Sequence, residues 1–183
     1  ILPIFVPHAG CPNDCVFCNQ KRISGSLLPA SAETVRAAVS VLEPGSGYEL
    51  AFYGGSFTAI PEAEQEALLA AAIPARESGA VSALRVSTRP DAVTEEKLAR
   101  LRRCGVETVE LGVQSMCDEV LLRSGRGHMS EDTVKAAKLV KDAGFTLILQ
   151  MMTGLLGSDD ARDIQTARSI AALHPDGVRI YPT

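Results

Sequence analysis

Three cysteines lie within eight positions near the start of the chain, in the stretch HAGCPNDCVFCNQ (residues 8–20). Cys11, Cys15 and Cys18 form a CX3CX2C pattern, which offers three thiolates on one loop. A disulfide fits poorly, because three thiols cannot pair evenly and an odd total of five cysteines is typical of a reducing compartment. The spacing therefore favours a metal site.

Two kinds of metal site fit these thiols. A structural zinc ion takes four ligands, and His8 could supply the fourth, although a histidine here is more often bonded to nearby backbone. Zinc ligands also come as widely separated pairs, and no second pair follows. A [4Fe–4S] cluster held by three cysteines keeps one iron open for a substrate or cofactor, which suits redox chemistry.

Further polar or glycine-containing segments follow apolar runs along the whole chain. They are GGSF (54–57), STRPD (87–91), QS (114–115) and TGLLG (153–157). In parallel α/β folds, ligands bind at the carboxyl ends of the strands. The cysteine loop and these segments are therefore expected to meet in one active site.

The elements that position these segments alternate between strand and helix patterns. Six strands are expected in PIFVP, YELAFYGG, ALRVST, TVELGVQS, FTLILQMM and DGVRIYP, each near-continuously apolar as in a parallel sheet covered on both faces. Ser31 and Thr94 are predicted N-caps, and Pro74 is expected to kink or end its helix. We predict an α/β fold, a partial (β/α)6 TIM-like barrel of parallel strands, with residues 1–183 forming a single domain of a longer chain and the last helix missing.

Composition narrows the class of protein. The 183 residues are 46% hydrophobic and 22% charged, with a net charge of −4, which is typical of a globular enzyme or binding domain. The mild acidity provides no electrostatic footprint for nucleic acid. No apolar run reaches the roughly 18 to 20 residues that span a bilayer. We therefore expect no membrane association and a cytoplasmic location.

The ordered set of motifs resembles the radical S-adenosylmethionine superfamily. It comprises CX3CX2C with Phe17 before the last cysteine, YGGSF, VELGVQS, RGH and GLLG, and it runs over essentially the whole chain. STRPD and ELGVQSM…RGH resemble the branch of the catalytic subunit of elongator, and GVQ is shared with oxygen-independent coproporphyrinogen oxidases. The resemblance implies an enzyme that cleaves S-adenosylmethionine to methionine and a 5′-deoxyadenosyl radical, which abstracts hydrogen from a substrate.

The resemblance also implies cofactors, site residues and a partner. The cofactors are a [4Fe–4S] cluster, held by Cys11, Cys15 and Cys18, and S-adenosylmethionine. Gln114 matches a residue on the cofactor's ribose, and Arg126 matches one on its methionine carboxylate. The full set of implied cofactor-binding residues is Phe17, Gly54, Gly55, Ser56, Ser87, Arg89, Gln114, Arg126 and Gln150. The partner is an electron donor of the flavodoxin or ferredoxin kind.

Two other functions stay open, and the substrate is not fixed. One alternative is a zinc-bound structural or binding module that uses His8 with the three cysteines. The other is an RNA-interaction domain whose catalysis has degenerated. For the enzyme, a tRNA base, a tetrapyrrole and a small metabolite all remain candidates. Tyr181 is assigned to the core, and Cys104 and Cys117 are interpreted as small buried helix residues.

Overall fold

The fold is built on one parallel β-sheet. The computed structural model describes residues 1–6, 11–13, 15–18 and 30–183, so His8 lies outside the described residues. The six strands are β1 (Leu2–Phe5), β2 (Tyr48–Tyr53), β3 (Val81–Thr88), β4 (Val106–Gln114), β5 (Thr146–Thr153) and β6 (Gly177–Pro182). They pair in sequence order, and every neighbouring pair is parallel. The predicted α/β class is confirmed.

The sheet is curved into a half-barrel. In a flat sheet, β2 and β6 would lie about 19 Å apart, four strand spacings of roughly 4.8 Å each. Here Nη1 of Arg179 on β6 donates to the hydroxyl of Tyr53 on β2 over 2.6 Å. Only a sheet that bends round an interior brings these two side chains together, which confirms the predicted partial barrel.

Seven helices in the described part of the chain cover the outside of the sheet. They are α1 (Ala32–Val39), α2 (Glu62–Ala70), α3 (Ile73–Glu77), α4 (Glu95–Arg103), α5 (Asp118–Arg123), α6 (Ser130–Asp142) and α7 (Asp160–Ala172). The predicted N-caps are confirmed, because Ser31 accepts from the backbone N–H of Thr34 and Thr94 from that of Lys97. No helix among these residues is long and apolar enough to cross a bilayer.

Pro74 breaks the helical stretch that follows β2. The chain leaves α2 after Ala70, and Pro74 occupies the first turn of α3, where its missing N–H needs no partner. The two cysteines interpreted as small buried helix residues lie at helix ends. Cys104 is the C-cap of α4 and Cys117 the N-cap of α5, and both are half-buried rather than core residues.

The two faces of the sheet differ in chemistry. The outer face packs apolar side chains against the helices, among them Leu50, Phe52, Leu84, Leu111 and Leu149. The inner face carries polar and charged side chains at alternate positions, including Glu49, Arg85, Glu110 and Arg179. The expectation of near-continuously apolar strands is therefore wrong, because the inner face borders a cavity and not a second helix layer.

Candidate active site

A cavity of about 860 Å³ lies on the inner side of the half-barrel. Its wall is built by the cysteine loop and all six strands. Eight of the residues singled out from the sequence line it, namely Phe17, Cys18, Gly54, Gly55, Ser87, Gln114, Arg126 and Gln150. A volume of this size accommodates a nucleoside-sized ligand together with part of a second one.

The cysteine loop is docked on the turn between α5 and α6. The backbone N–H of Val16 donates to the Ser124 carbonyl over 3.1 Å, and the Cys15 thiol lies 3.5 Å from the Gly125 carbonyl. The Asn13 side-chain Nδ2 donates to the Arg126 carbonyl over 3.0 Å. These contacts fix the loop against a segment more than a hundred residues further along the chain.

Gly127 completes this docking surface. Its φ is +73°, and a Cβ built there would lie 2.6 Å from Nδ2 and 2.7 Å from Cγ of Asn13. Both distances are far below ordinary van der Waals contact, and the left-handed backbone disfavours any other residue. The glycine therefore allows the loop to approach closely at Asn13.

Two guanidinium groups lie beside the thiols. Nη1 of Arg126 is 3.9 Å from Sγ of Cys15. Arg89 is paired with Asp91 over 2.8 and 2.9 Å, and this pairing raises the pKa of Arg89 against the effect of burial, with a further contribution from Cys11. Two cationic side chains thus border the loop that carries Cys11 and Cys15.

The cysteines suit an iron–sulfur cube better than a zinc ion. None of the three forms a disulfide bond. Among the described residues, no three His, Cys, Asp or Glu side chains converge on one point as a single metal ion requires. A [4Fe–4S] cube takes each thiolate on a different iron, so its ligands need no common point. Zinc coordination gains no support from this arrangement.

Arg126 has a hydrogen-bonding group to spare. The residue is 7% exposed, and its Nη2 donates to the Gly112 carbonyl over 2.6 Å. Its buried Nε has no hydrogen-bond partner among the described residues. A buried N–H without a partner costs about 1 to 3 kcal/mol, so the residue fits a ligand that brings an acceptor such as a carboxylate into the cavity.

Gln114 and Gln150 meet between neighbouring strands, with Gln114 at the end of β4 and Gln150 three residues before the end of β5. Nε2 of Gln150 lies 3.5 Å from Oε1 of Gln114, and both amides border the cavity. Gln114 has φ of +68°, and the β4–β5 register shifts between Gly112 and Gln114. A Cβ on Gly112 would lie 2.8 Å from Nη2 of Arg126 and 3.1 Å from Nε2 of Gln114. Glycine thus makes room for both side chains.

Two of the predicted cofactor-binding residues, Ser56 and Arg89, do not line the cavity, and of the three predicted cluster ligands only Cys18 does. Ser56 is 1% exposed, shares a 2.7 Å hydrogen bond with the Thr88 hydroxyl and accepts from the Arg89 backbone N–H. Arg89 is 6% exposed and holds Asp91. The Ser56 hydroxyl links the segment that follows β2 to Thr88 and Arg89 at the end of β3, so it lies inside the protein and not at the cavity.

His128 is a buried histidine next to the same turn. It is 3% exposed, and burial, followed by the charge of Arg126, lowers its pKa from 6.5 to about 4. Asp91 and Asp132 oppose this effect. The ring is therefore neutral at physiological pH and acts as a packed side chain of the docking turn.

The cavity also has lining residues that the sequence did not indicate. Tyr53, Glu110 and Arg179 border it, and Tyr181 does so too, which corrects its assignment to the core. Glu110 is 1% exposed, and it lies in a strand that is buried at eight of its nine positions. A carboxylate in such a strand is a signal of a buried charged partner, since an unpaired buried charge is very costly.

The fold and the cavity define a class, namely a half-barrel enzyme that gathers three cysteines and a buried arginine at one mouth. A family model described as the Radical SAM superfamily matches residues 5–170. The chain belongs to the Radical SAM superfamily, whose members bind a [4Fe–4S] cluster and S-adenosylmethionine, and it is an enzyme.

Curated relatives match part of the chain. A tRNA uridine(34) acetyltransferase of Methanocaldococcus infernus is 40% identical over 103 residues, which are 55% of this chain and 19% of that protein. Elongator complex protein 3 of Homo sapiens is 33% identical over 101 residues, which are 54% of this chain and 18% of that protein. The matches thus span about a fifth of the length of these relatives.

Solved structures match the whole chain. The Elp3 of Methanocaldococcus infernus superposes with a TM-score of 0.73 at 28% identity, covering 100% of this chain and 46% of that one. Coproporphyrinogen III oxidase of Escherichia coli gives a TM-score of 0.72 at 19% identity, covering 98% of this chain and 43% of that one. The second likeness concerns the fold alone.

Proposed function

We propose that this chain cleaves S-adenosylmethionine reductively and directs the resulting radical at a uridine-containing tRNA. The observation that supports a tRNA substrate is the 40% identity over 103 residues with a protein named tRNA uridine(34) acetyltransferase. Support for the cofactor comes from the cavity, where the buried Arg126 has a spare donor and its Nη1 lies 3.9 Å from Sγ of Cys15 on the cysteine loop. The family membership also supports the cleavage of S-adenosylmethionine, because that reaction is general to the Radical SAM superfamily.

The cysteines and Arg126 hold the reacting groups in this proposal. A reduced [4Fe–4S] cluster, when bound, supplies one electron for cleaving S-adenosylmethionine to methionine and a 5′-deoxyadenosyl radical, which takes a hydrogen atom from the substrate. Cys11, Cys15 and Cys18 ligate three irons. Nε of Arg126 donates to the methionine carboxylate, which removes its unsatisfied buried N–H.

The other cavity residues orient the cofactor. Gly54, with φ of +94°, and Gly55 keep the backbone free of side chains where the methionine amino group binds. Gln114 and Gln150 offer two amides to the ribose hydroxyls. Ser87 lies on the sugar side, and Phe17 packs against adenine. The apolar part of the wall excludes water from the radical.

Anaerobic reconstitution with iron and sulfide tests the cofactor half of the proposal. We expect about four irons per chain and, after addition of dithionite and S-adenosylmethionine, formation of 5′-deoxyadenosine. Cys15→Ala should lose both, whereas Cys104→Ala, a half-buried cysteine at the end of α4, should keep both. An iron-free wild-type protein, or an iron-loaded one that forms no 5′-deoxyadenosine, contradicts this half.

Addition of substrate tests the other half. An unmodified tRNA transcript should increase the rate of 5′-deoxyadenosine formation, because substrate hydrogen is consumed in the productive reaction. A transcript whose anticodon uridine is replaced by cytidine is the matched control and should give no increase. Equal stimulation by the two transcripts, or none by either, contradicts a uridine substrate while leaving cofactor cleavage intact.

We also propose a flavodoxin- or ferredoxin-like electron donor and a cytoplasmic location. An iron–sulfur cluster with cysteine ligands needs a low-potential electron and a reducing compartment. Replacing dithionite with a reduced flavodoxin tests the donor, and transfer of electrons should again yield 5′-deoxyadenosine. No product with either donor protein, against product with dithionite, excludes this class of partner.

A further inference from the structure

Four charged side chains form a network on the inner face of the half-barrel that the cofactor assignment does not use. Arg85 binds Glu49 through two hydrogen bonds, of 2.8 and 2.9 Å, and contacts Glu110 at 3.3 Å. Glu110 also accepts from Nη1 of Arg179 over 3.0 Å. Strands β2, β3, β4 and β6 each contribute one member, so the network joins the strands across the interior.

The network is electrically neutral. Two carboxylates balance two guanidinium groups, and each carboxylate touches an arginine. Each charge in the network is therefore already paired with an opposite charge and needs no counter-ion from a ligand. An anion placed on Arg179 would also lie near the buried carboxylate of Glu110, which cancels much of the attraction. The ligand that suits this network is consequently polar and uncharged.

Arg179 and Glu110 both border the cavity, and Arg179 is the more exposed of the two and is held in place. Its guanidinium carbon lies 5.1 Å from the ring centroid of Tyr53 and 5.2 Å from that of Tyr181. Burial acts to lower the pKa of Arg179, and Glu110 outweighs it, so the group stays cationic. The hydrogen bonds to Tyr53 and Glu110 all use Nη1. Apart from Tyr181, no residue in the described part of the chain hydrogen-bonds Nε or Nη2, which leaves donors for a ligand.

The surroundings of Arg179 favour a planar ligand. The side chain is 35% exposed in a wall that also contains Phe5, Met152 and the two tyrosine rings. Aromatic and thioether groups contact flat rings well. A guanidinium edge donates two parallel N–H groups in one plane, which matches carbonyl oxygens lying in the plane of a ring.

We propose that Arg179, flanked by Tyr53 and Tyr181, forms a substrate subsite that binds a carbonyl oxygen of a neutral planar ring, which is the uracil of the uridine substrate. This inference rests on the proposed function for the identity of the ring. Glu110 and Arg85 act as positioning residues. Glu110 contacts Arg179 directly, and Arg85 contacts Glu110, so together they fix the position of the Arg179 guanidinium. The subsite is separate from the amides and the arginine assigned to the cofactor.

Saturation-transfer NMR with uridine as the probe tests this subsite on the iron-reconstituted protein. We expect uridine to bind in the presence of S-adenosylmethionine. Arg179→Lys keeps a positive charge beside Glu110 but loses the planar edge, and it should weaken binding at least tenfold. Tyr53→Phe removes only the hydroxyl that holds Nη1 and should weaken binding a few-fold. Arg168→Lys, on the exposed side of α7, is the matched control and should bind as the wild type does.

Three results overturn the inference. Unchanged uridine affinity in Arg179→Lys removes the assigned contact. Acetate that displaces uridine from the wild type but not from Arg179→Lys identifies an anion site instead. Displacement of uridine by S-adenosylmethionine assigns the subsite to the cofactor. Failure of the proposed function is recognised separately, as the absence of 5′-deoxyadenosine from wild-type protein supplied with cofactor and dithionite alone.

Discussion

Replacing Gly127 with alanine should prevent the cysteine loop from docking and thereby lower iron binding. The new methyl group would overlap the Asn13 side chain, whose Nδ2 lies 2.6 Å from the position of the added Cβ. Asn13 then has to give up its bond to the Arg126 carbonyl. Since Cys11 and Cys15 flank Asn13, the displacement moves two of the three thiols.

The expected magnitude has two contributions. Alanine in the left-handed region costs about 1 to 2 kcal/mol, and the lost Asn13 hydrogen bond costs about 1 kcal/mol more. Gly45→Ala is the matched control, because Gly45 has φ of +76° and nothing within 4 Å of its added Cβ. It carries the backbone cost without the overlap. Gly127→Ala should therefore be destabilised by about 2 to 3 kcal/mol and Gly45→Ala by about 1 to 2 kcal/mol.

The assay is colorimetric iron per chain after anaerobic reconstitution, alongside guanidinium unfolding. Gly45→Ala should bind as much iron as the wild type, and Gly127→Ala much less. Adding Asn13→Ala to Gly127→Ala removes the overlapping side chain, so the double variant should bind more iron than Gly127→Ala alone. Equal iron contents in Gly127→Ala and Gly45→Ala would refute the reasoning, because docking would then not depend on this contact.

Three further predictions concern the buried polar groups. Because the pKa of His128 is lowered from 6.5 to about 4, the neutral ring stabilises the fold fully above pH 6.5, and this contribution is lost as the pH falls toward 4, at about 1.4 kcal/mol per pH unit. Chemical unfolding across this range should show a shallower slope of the unfolding free energy against pH for His128→Asn than for the wild type, and identical slopes in the two proteins would contradict it. Glu110→Gln should lower the free energy of unfolding by about 2 to 3 kcal/mol, since it leaves Arg179 and Arg85 without a shared carboxylate, whereas the exposed Glu131→Gln should cost under about 0.5 kcal/mol. Ser56→Ala should cost about 1 to 2 kcal/mol because it removes two buried hydrogen bonds, one shared with the Thr88 hydroxyl and one accepted from the Arg89 N–H, and a loss no greater than that of the exposed Ser40→Ala would count against this role.

The sequence predicts the half-barrel well because its signals are local. Strand and helix patterns alternate, Ser31 and Thr94 cap their helices, and Pro74 breaks its helix as its chemistry requires. Parallel pairing then follows from the helices between successive strands, which return the chain to the same edge of the sheet. The same locality places the cysteine loop and the strand-end glycines at one mouth.

The inner wall was not predictable in the same way. Glu110 and Arg179 lie 69 positions apart, and their pairing depends on how strongly the sheet curves. In sequence, a strand with apolar residues on its outer face and a few charged residues on its inner face looks similar to a strand that is covered by helices on both faces. Tyr181 was misassigned for this reason, because its ring borders the cavity only once the sheet bends. The contact of Asn13 with Arg126 likewise spans 113 positions and leaves no local trace.

The backbone of Gln114 implies a trade between stability and function at one position. A residue other than glycine with φ of +68° carries a conformational penalty of order 1 kcal/mol that the surrounding sheet must absorb. Glycine there would relieve this strain and give a more stable protein, but it would remove the amide that meets Gln150. The chain thus keeps a strained backbone conformation at the edge of its cavity. A substitution that made the protein more thermostable at this position would remove a side chain that can contact a ligand.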